Sequence, residues 1–402
     1  MQFREIIGQN DIKFHLTDIY QQNRLSHALL FLSKEGSGGL LLAMTFAQYI
    51  VCEKVNGGSV SNSAPGLFGE PEEPTIALDD SCGVCPACVK AAKMMHPDIH
   101  FSFPTIKISD NPPLSSDFMN EWRSFVKEQP YGNSYDWLQH IKAENKQGNI
   151  TAAECNEIVR ILNLKSFEAP YKILVMWMPE YLGNEGNKLL KLIEEPPPNT
   201  LFLLVAENEQ KILSTILSRT QLIKIPALND EDLQEALEQE GKADGAQAKQ
   251  VALLSNGNYR MALQLLQHAD NNWVVVLRDW MNSMVKTGPA AQVAWIDDIS
   301  KIGREKQKQF LQYVNQVLEH AIRMQVLGAV TNEAETDLRS EIEQFAMKMN
   351  RLCSIEQLEQ MVQEIDSATY HVERNVNAKI LFHALTIKIY HIIRNKSVIL
   401  VS

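Results

Sequence analysis

Residues 28–51 read ALLFLSKEGSGGLLLAMTFAQYIV, and the predicted fold class follows from this segment. The apolar run Ala28–Leu32 predicts a short buried strand, the Gly-rich segment after it predicts a tight turn, and Leu41–Val51 predicts a helix. Strand-like runs return further along the chain, separated by helical or turn-rich sequence, at Lys172–Met178, Thr200–Ala206 and Leu222–Ile225. Strands that alternate with helices favour an α/β domain built on a parallel sheet.

A strand, a Gly-rich turn and a helix in this order are the layout of a phosphate-binding loop, in which backbone N–H groups at the helix N-terminus hold the anion. Against the pattern G-x-x-x-x-G-K-[ST], Ser33 replaces the first glycine, Gly38 keeps the second, and Gly39 replaces the lysine ahead of a leucine. Glu35 adds a negative charge beside the would-be phosphates. We predict a degenerate loop whose glycines, with Gly36, keep the turn but bind no ATP.

A second feature of such ATPases is altered in the same direction. A hydrolysing enzyme of this type ends a buried strand in acidic residues that hold magnesium and activate water. Here the strand Ile173–Met176 continues into Trp177 and Met178, and Glu180 follows only later. One alternative stays open, in which a self-contained ATPase uses Lys34 and Glu180 in a rewired site.

Three cysteines, Cys82, Cys85 and Cys88, form a C-x2-C-x2-C knuckle that suits a tetrahedral metal site. The fourth cysteine of the bacterial ferredoxin pattern is missing, so zinc is favoured over an iron–sulfur cluster. Cys52 is the best candidate for the fourth ligand and His96 is the second. A fortuitous group of reduced thiols and a stand-alone zinc-ribbon nucleic-acid binder are the alternatives.

The composition limits the possible functions. The chain has 402 residues and a formal net charge of −11, and neither half is basic, so it is a poor solitary binder of duplex DNA. The N-terminus has no signal-peptide layout, and the apolar runs are far shorter than the ~20 residues of a membrane helix. We expect a cytoplasmic protein.

Two adjacent segments carry a specific resemblance. Residues 188–200 read KLLKLIEEPPPNT ahead of the apolar run to Ala206, and residues 213–221 read LSTILSRTQ. They resemble the motifs LLKxLEEPPxxTxFIL and TIxSRCQ of the bacterial DNA polymerase III clamp-loader AAA+ family. The resemblance extends over nearly the whole chain, is strong over 82–98, and is greatest to subunits of the delta-prime type, which share a degenerate phosphate loop.

The resemblance implies an α/β AAA+ domain (parallel sheet, P-loop type), a three-helix lid and an all-α collar. The expected boundaries are 1–226, with a zinc knuckle at 52–88 and an insertion at 103–148, then 227–270 for the lid and 271–402 for the collar. The helical patterns after Pro226 agree, and they cover Asp230–Gln239, Ala246–Ser255, Tyr259–His268, 272–286, 290–328, 333–350, 354–370 and 374–396.

The resemblance also implies the site residues. Arg219, with Ser218, matches the family's arginine finger, which reaches the ATP site of a neighbouring subunit. Arg260 matches the second-sensor helix, although a structural role is expected while its own site binds no nucleotide. The family's four zinc ligands correspond to Cys52, Cys82, Cys85 and Cys88.

The implied function is that of a non-hydrolysing subunit in a hetero-oligomeric ring. It would assemble with the gamma/tau ATPase subunits and the delta subunit, and the complex would load the sliding clamp on primed DNA. No membrane role is expected.

Overall fold

The computed structural model describes residues 1–57, 79–107, 112–143, 146–267, 273–326, 341–374 and 376–395. The chain forms two compact units, one of Met1–Gly241 with Gly257–Met261 and one of Lys242–Asn256 with Ala262–Ser402. Most of the Gly- and Ser-rich stretch at 56–80 lies outside the described residues. The domain boundaries near 226 and 270 stay predictions.

The described part of the first unit contains a parallel five-stranded sheet with the order β2-β3-β4-β1-β5. The strands are β1 (Ala28–Ser33), β2 (Ile99–Ser102), β3 (Lys172–Trp177), β4 (Thr200–Ala206) and β5 (Gln221–Ile225). Every residue of β3 and β4 is buried, as expected for central strands that helices cover on both faces. In the edge strand β5, Ile223 and Ile225 are buried and the other three residues are exposed.

The helices of the first unit surround this sheet. They are α1 (Asn10–Gln21), α2 (Gly39–Val51), α3 (Pro86–Ala92), α4 (Met119–Glu128), α5 (Ser134–His140), α6 (Ala152–Leu162), α7 (Leu190–Glu194), α8 (Ser214–Leu217) and α9 (Asp230–Gln239). Since parallel strands end at one edge, the segments after β1, β3 and β4 lie together there, where α/β folds bind ligands.

The second unit is helical throughout its described residues. Its helices are α10 (Gly245–Ser255), α11 (Tyr259–Gln267, which starts in the first unit), α12 (Trp273–Asn282), α13 (Pro289–Ile299), α14 (Arg304–Val326), α15 (Glu341–Leu352), α16 (Ile355–Glu373) and α17 (Ala378–Asn395). Trp280, Phe310 and Phe382 are fully buried in its core. None of the helices in the described residues is long and apolar enough to cross a membrane.

The sheet and the helical second unit confirm the predicted α/β class with a helical C-terminal part. One strand was missed, and one helical pattern was wrong. No strand signal marks β2 in the sequence, because β2 has only four residues and includes the polar His100 and Ser102. The pattern at 290–328 is two helices, since α13 ends at Ile299 and Gly303 then adopts a φ of +87°, which favours glycine.

Candidate functional site

The turn between β1 and α2 is the segment that the sequence predicts to be a degenerate phosphate loop. Gly36 has a φ of +68°, and Gly38, at the N-cap of α2, has a φ of +87°. Both values lie in the left-handed region that glycine adopts without a steric penalty. All thirteen residues of α2 are buried, so the loop is fixed to the sheet.

The position of the phosphate lysine is closed by a neighbouring side chain. A Cβ atom at Gly39 would lie 2.5 Å from Cβ of Ser33, which is closer than two carbon atoms can approach. Ser33 occupies the place of the first glycine in the nucleotide-binding pattern. The two departures from the pattern are therefore coupled, since the serine fills the space that a side chain at residue 39 would need.

A third segment packs on the same loop. A Cβ atom at Gly36 would lie 2.6 Å from Cγ of Asn258, and the backbone N–H of Tyr259 donates to the Gly36 carbonyl at 3.1 Å. Arg260 follows, and its side chain is 9% exposed. Its guanidinium contacts Glu35 of the loop at 3.2 Å and forms a two-pronged ion pair with Asp136. The expected second-sensor arginine is thus held by carboxylates of its own chain.

Glu180 and Glu207, at the same edge of the sheet, disfavour the binding of an anion there. Glu180 accepts hydrogen bonds from the backbone N–H groups of Glu207 and Asn208 through one carboxylate oxygen. Burial, helped by the charges of Glu35 and Glu180, raises the pKa of Glu207 to about 8. A triphosphate at the loop would add negative charge to a region that already disfavours it.

The four predicted cysteine ligands converge. Their Sγ atoms all lie within 4.8 Å of one another, and Sγ of Cys82 and Cys88 are 3.9 Å apart. Zinc bound by four thiolates at ~2.3 Å separates sulfur atoms by about 3.8 Å, so the spacing fits a tetrahedral ion. Cys52 comes directly after α2, and Cys85 is the N-cap of α3, where its sulfur accepts the Cys88 N–H at 3.4 Å.

The thiols of this cluster also interact electrostatically. The hydrogen bond shared with Cys88 lowers the pKa of Cys52 to about 4, and the same interaction raises the pKa of Cys88. All six cysteines are free thiols. The cluster could therefore hold a metal such as zinc.

His96, the second candidate for the fourth ligand, does not belong to the group that converges. Its Nδ1 accepts the backbone N–H of Asp98 at 3.1 Å, and its Nε2 lies 3.3 Å from a carboxylate oxygen of Glu168. Burial lowers the pKa of His96. The side chain therefore joins the loop before β3 to the segment after α3.

The predicted finger residue lies in the short segment between α8 and β5. Arg219 follows α8, its side chain is 33% exposed, and it forms an ion pair with Glu194 at the end of α7. Its guanidinium also donates to the Thr215 carbonyl at 2.8 Å and to the Ser218 hydroxyl at 3.1 Å. The residue is therefore oriented by its own chain while part of it stays accessible.

The sequence predicts the loop, the cysteines and Arg219 as site residues, but it does not indicate the residues that pack on the loop. Asn258, Tyr131 and Asp136 are far from residue 36 along the chain, and nothing in their local pattern indicates the contact. The isolated acid Asp136 in an aromatic stretch is the one signal that could have suggested a buried partner for Arg260.

The parallel sheet, the glycine-containing turn between β1 and α2 and the cysteine cluster define an α/β protein with a parallel sheet and a candidate metal site. The family model described as DNA polymerase III, delta subunit, matches residues 8–229, more than half of the chain, so the chain belongs to that family. The resemblance to the DNA polymerase III clamp-loader family is confirmed.

Individual relatives are more distant. The chain is 25% identical to subunit delta′ of Bacillus subtilis over 217 residues, 54% of this chain and 47% of the relative. It is 23% identical to subunit gamma of Buchnera aphidicola from Acyrthosiphon pisum over 275 residues, 67% and 59% of the two chains. The chain thus spans about half the length of the curated relatives it matches.

Among solved structures, a DNA polymerase III gamma subunit-related protein from Thermotoga maritima is similar over 94% of this chain and 99% of its own, with a TM-score of 0.40 and 13% identity.

Proposed function

We propose that this chain is a delta-prime-like, non-hydrolysing subunit of the DNA polymerase III clamp loader. The observation that carries the proposal is the filled phosphate loop, in which Gly39 stands against Ser33 where the nucleotide lysine belongs. Family membership and the similarity to a delta′ subunit support it. The protein would work in the cytoplasm in a ring with gamma/tau and delta subunits, which loads the clamp on primed DNA.

Within this ring, Arg219 would act in trans as an arginine finger, with Ser218 helping to orient it. A guanidinium that arrives from a neighbouring subunit stabilises the charge on the transferred phosphoryl group. The partial exposure of Arg219 and its contacts with Ser218 and Glu194 support this role. The lid at 227–270 and the collar at 271–402 would supply the ring contacts.

The alternative of a rewired ATPase finds little support in the contacts. It requires Glu180 to replace the missing acids, yet one oxygen of Glu180 already accepts two backbone N–H groups. Lys34 is exposed and precedes the glycines, so it would need to fold back over the loop.

We also propose that Cys52, Cys82, Cys85 and Cys88 hold a structural zinc ion. Four thiolates complete a tetrahedral shell and leave no position for water, so the ion would stabilise the fold without taking part in chemistry. Plasma mass spectrometry of the purified chain should give one zinc per chain, and Cys82→Ser should lose it. Cys155→Ala, a buried thiol outside the cluster, is the control. Iron, or no metal, in the wild-type chain would reject this assignment.

The decisive test of the main proposal is a titration of the isolated chain with Mg-ATP by calorimetry. No heat of binding above the heat of dilution is expected up to millimolar nucleotide. The purified gamma subunit serves as a positive control. Tight magnesium-dependent binding would reject the proposal. Co-purification with gamma/tau and delta subunits should yield a stable ring, and failure to assemble would count equally against it.

A further inference from the structure

The described part of the predicted insertion at 103–148 packs against the end of β3, where a nucleotide-hydrolysing protein presents the acidic residues that hold magnesium. Trp177 ends β3, the position at which a hydrolysing relative would present an acid. Its ring centroid lies 5.2 Å from that of Trp122 and 5.8 Å from that of Phe125, both on α4 of the insertion. The three rings are essentially buried. An apolar cluster therefore takes the metal side of the site.

The insertion also supplies an anion. Asp136 lies in the first turn of α5, and its carboxylate accepts Nη2 of Arg260 at 2.6 Å on one oxygen and Nε on the other. The second oxygen also accepts the backbone N–H of Asn133 at 3.1 Å, which fixes its orientation. Side-chain exposures of 11% for Asp136 and 9% for Arg260 make this a buried pair. The fork geometry is the one that arginine uses for a phosphate.

A third side chain of the insertion closes the loop itself. A Cβ atom at Gly38 would lie 3.0 Å from Cε1 of Tyr131. The hydroxyl of Tyr131 accepts the backbone N–H of Ile7 at 3.0 Å, and its ring lies 4.9 Å from that of Tyr259. Tyr131 thereby joins the N-terminal segment, the loop and the start of α11 within the first unit.

We propose that the insertion is a built-in occupant of the nucleotide site. Asp136 provides the negative charge that Arg260 would otherwise take from a phosphate, and Tyr131 and Trp122 fill the adjacent space. Asp136 is thus the residue that excludes an external anion from this site, because its carboxylate already pairs with the Arg260 guanidinium. The inference builds on the proposed absence of ATP binding and assigns the residues that enforce it.

The test is rescue of a variant by an anion. In the full chain, Asp136→Ala removes the internal carboxylate and opens room beside Arg260. Its melting temperature in chloride buffer should fall by about 5 °C or more, because a buried arginine loses the carboxylate that holds it through two hydrogen bonds. Inorganic phosphate at millimolar concentration should restore a saturable part of this loss. The wild-type chain and Glu121→Gln, an exposed change on α4, should show no such gain.

A double variant identifies where the phosphate binds. In Asp136→Ala/Arg260→Gln the phosphate effect should vanish, since the receiving cation is gone. Absence of rescue in Asp136→Ala, an equal gain in the wild-type chain, or a gain that persists in the double variant would each overturn the inference. If Asp136→Ala does not fold, Asp136→Asn must show the phosphate-dependent gain, and its failure to do so would be equally negative.

These outcomes are distinct from failure of the proposed function. Mg-ATP binding by the wild-type chain would reject the proposed function. If the wild-type chain binds no Mg-ATP and phosphate does not restore the stability of Asp136→Ala, only the role of the insertion is rejected.

Discussion

Arg260 and Arg219 both form ion pairs with carboxylates, and their surroundings differ in a way that separates two kinds of role. Arg260 is 9% exposed and is held by Asp136 and Glu35, which lie on the insertion and on the phosphate loop. Arg219 is 33% exposed, and its partner Glu194 is 45% exposed. A buried pair cannot lose one member without leaving an uncompensated charge, whereas an exposed pair contributes only ~0–1 kcal/mol. Arg260 is therefore expected to stabilise the fold, whereas Arg219 can exchange Glu194 for another partner at little cost in stability.

The largest effect is expected for Arg219→Ala, measured as DNA-stimulated ATP turnover of a reconstituted ring. Loss of a trans-acting guanidinium should lower turnover by about 10³-fold or more, while assembly and melting temperature stay unchanged. The control is Arg160→Ala, which removes another exposed arginine paired with a carboxylate, Glu157. Turnover that is unaffected by Arg219→Ala would contradict the finger role.

Arg260→Gln should reduce stability, whereas Arg219→Ala should reduce turnover and leave stability unchanged. The free energy of unfolding should fall by about 3–5 kcal/mol, because Asp136 is left buried without its cation. Denaturant titration of the isolated chain measures this loss, and Arg219→Ala is the matched control. Near-wild-type stability of Arg260→Gln would show that the two arginines do not differ in the way described.

Gly39→Lys, a restoration of the nucleotide lysine, should destabilise the chain by about 1–3 kcal/mol through overpacking against Ser33. The double variant Ser33→Gly/Gly39→Lys should recover a substantial part of that loss, and Ser33→Gly alone provides the reference. A double variant no more stable than Gly39→Lys would mean that Ser33 is not the obstacle. The melting temperature reports all three.

The smallest effect on stability is expected for Glu194→Gln. Its exposed pair with Arg219 should contribute less than about 1 kcal/mol to folding. Arg219 would still donate to the Thr215 carbonyl and the Ser218 hydroxyl, so ring turnover should change only a few-fold. A loss of stability similar to that of Arg260→Gln would remove the distinction between the two pairs.

The sequence predicted the elements that depend on local periodicity and missed those that depend on distant contacts. Strands β1, β3, β4 and β5 are apolar runs bounded by turn residues, and the helix pattern Asp230–Gln239 agrees with α9 to the residue. The edge strand β2 is too short and too polar to be recognised. Its pairing with β3, from Ile99 opposite Ile173, stabilises it instead.

The residues of the candidate sites also divide into those with a local sequence signal and those that depend on distant contacts. Cys82, Cys85 and Cys88 are recognisable because a metal knuckle needs short, fixed spacings, and only the distant Cys52 was a choice between candidates. The filling of the phosphate loop depends on Asp136 and Asn258, which approach Glu35 and Gly36 only after the chain has folded. Apart from the isolated acid Asp136 in its aromatic stretch, the local sequence gives no signal of these contacts.

The exclusion of a side chain at residue 39 by Ser33 limits how this loop can change by mutation. A lysine at residue 39 would meet the serine, and a glycine at residue 33 would not by itself supply a lysine. Two substitutions are therefore needed together before the loop matches the nucleotide-binding sequence pattern at these two positions. Because neither change alone is expected to be favourable, single mutations tend to preserve the present loop.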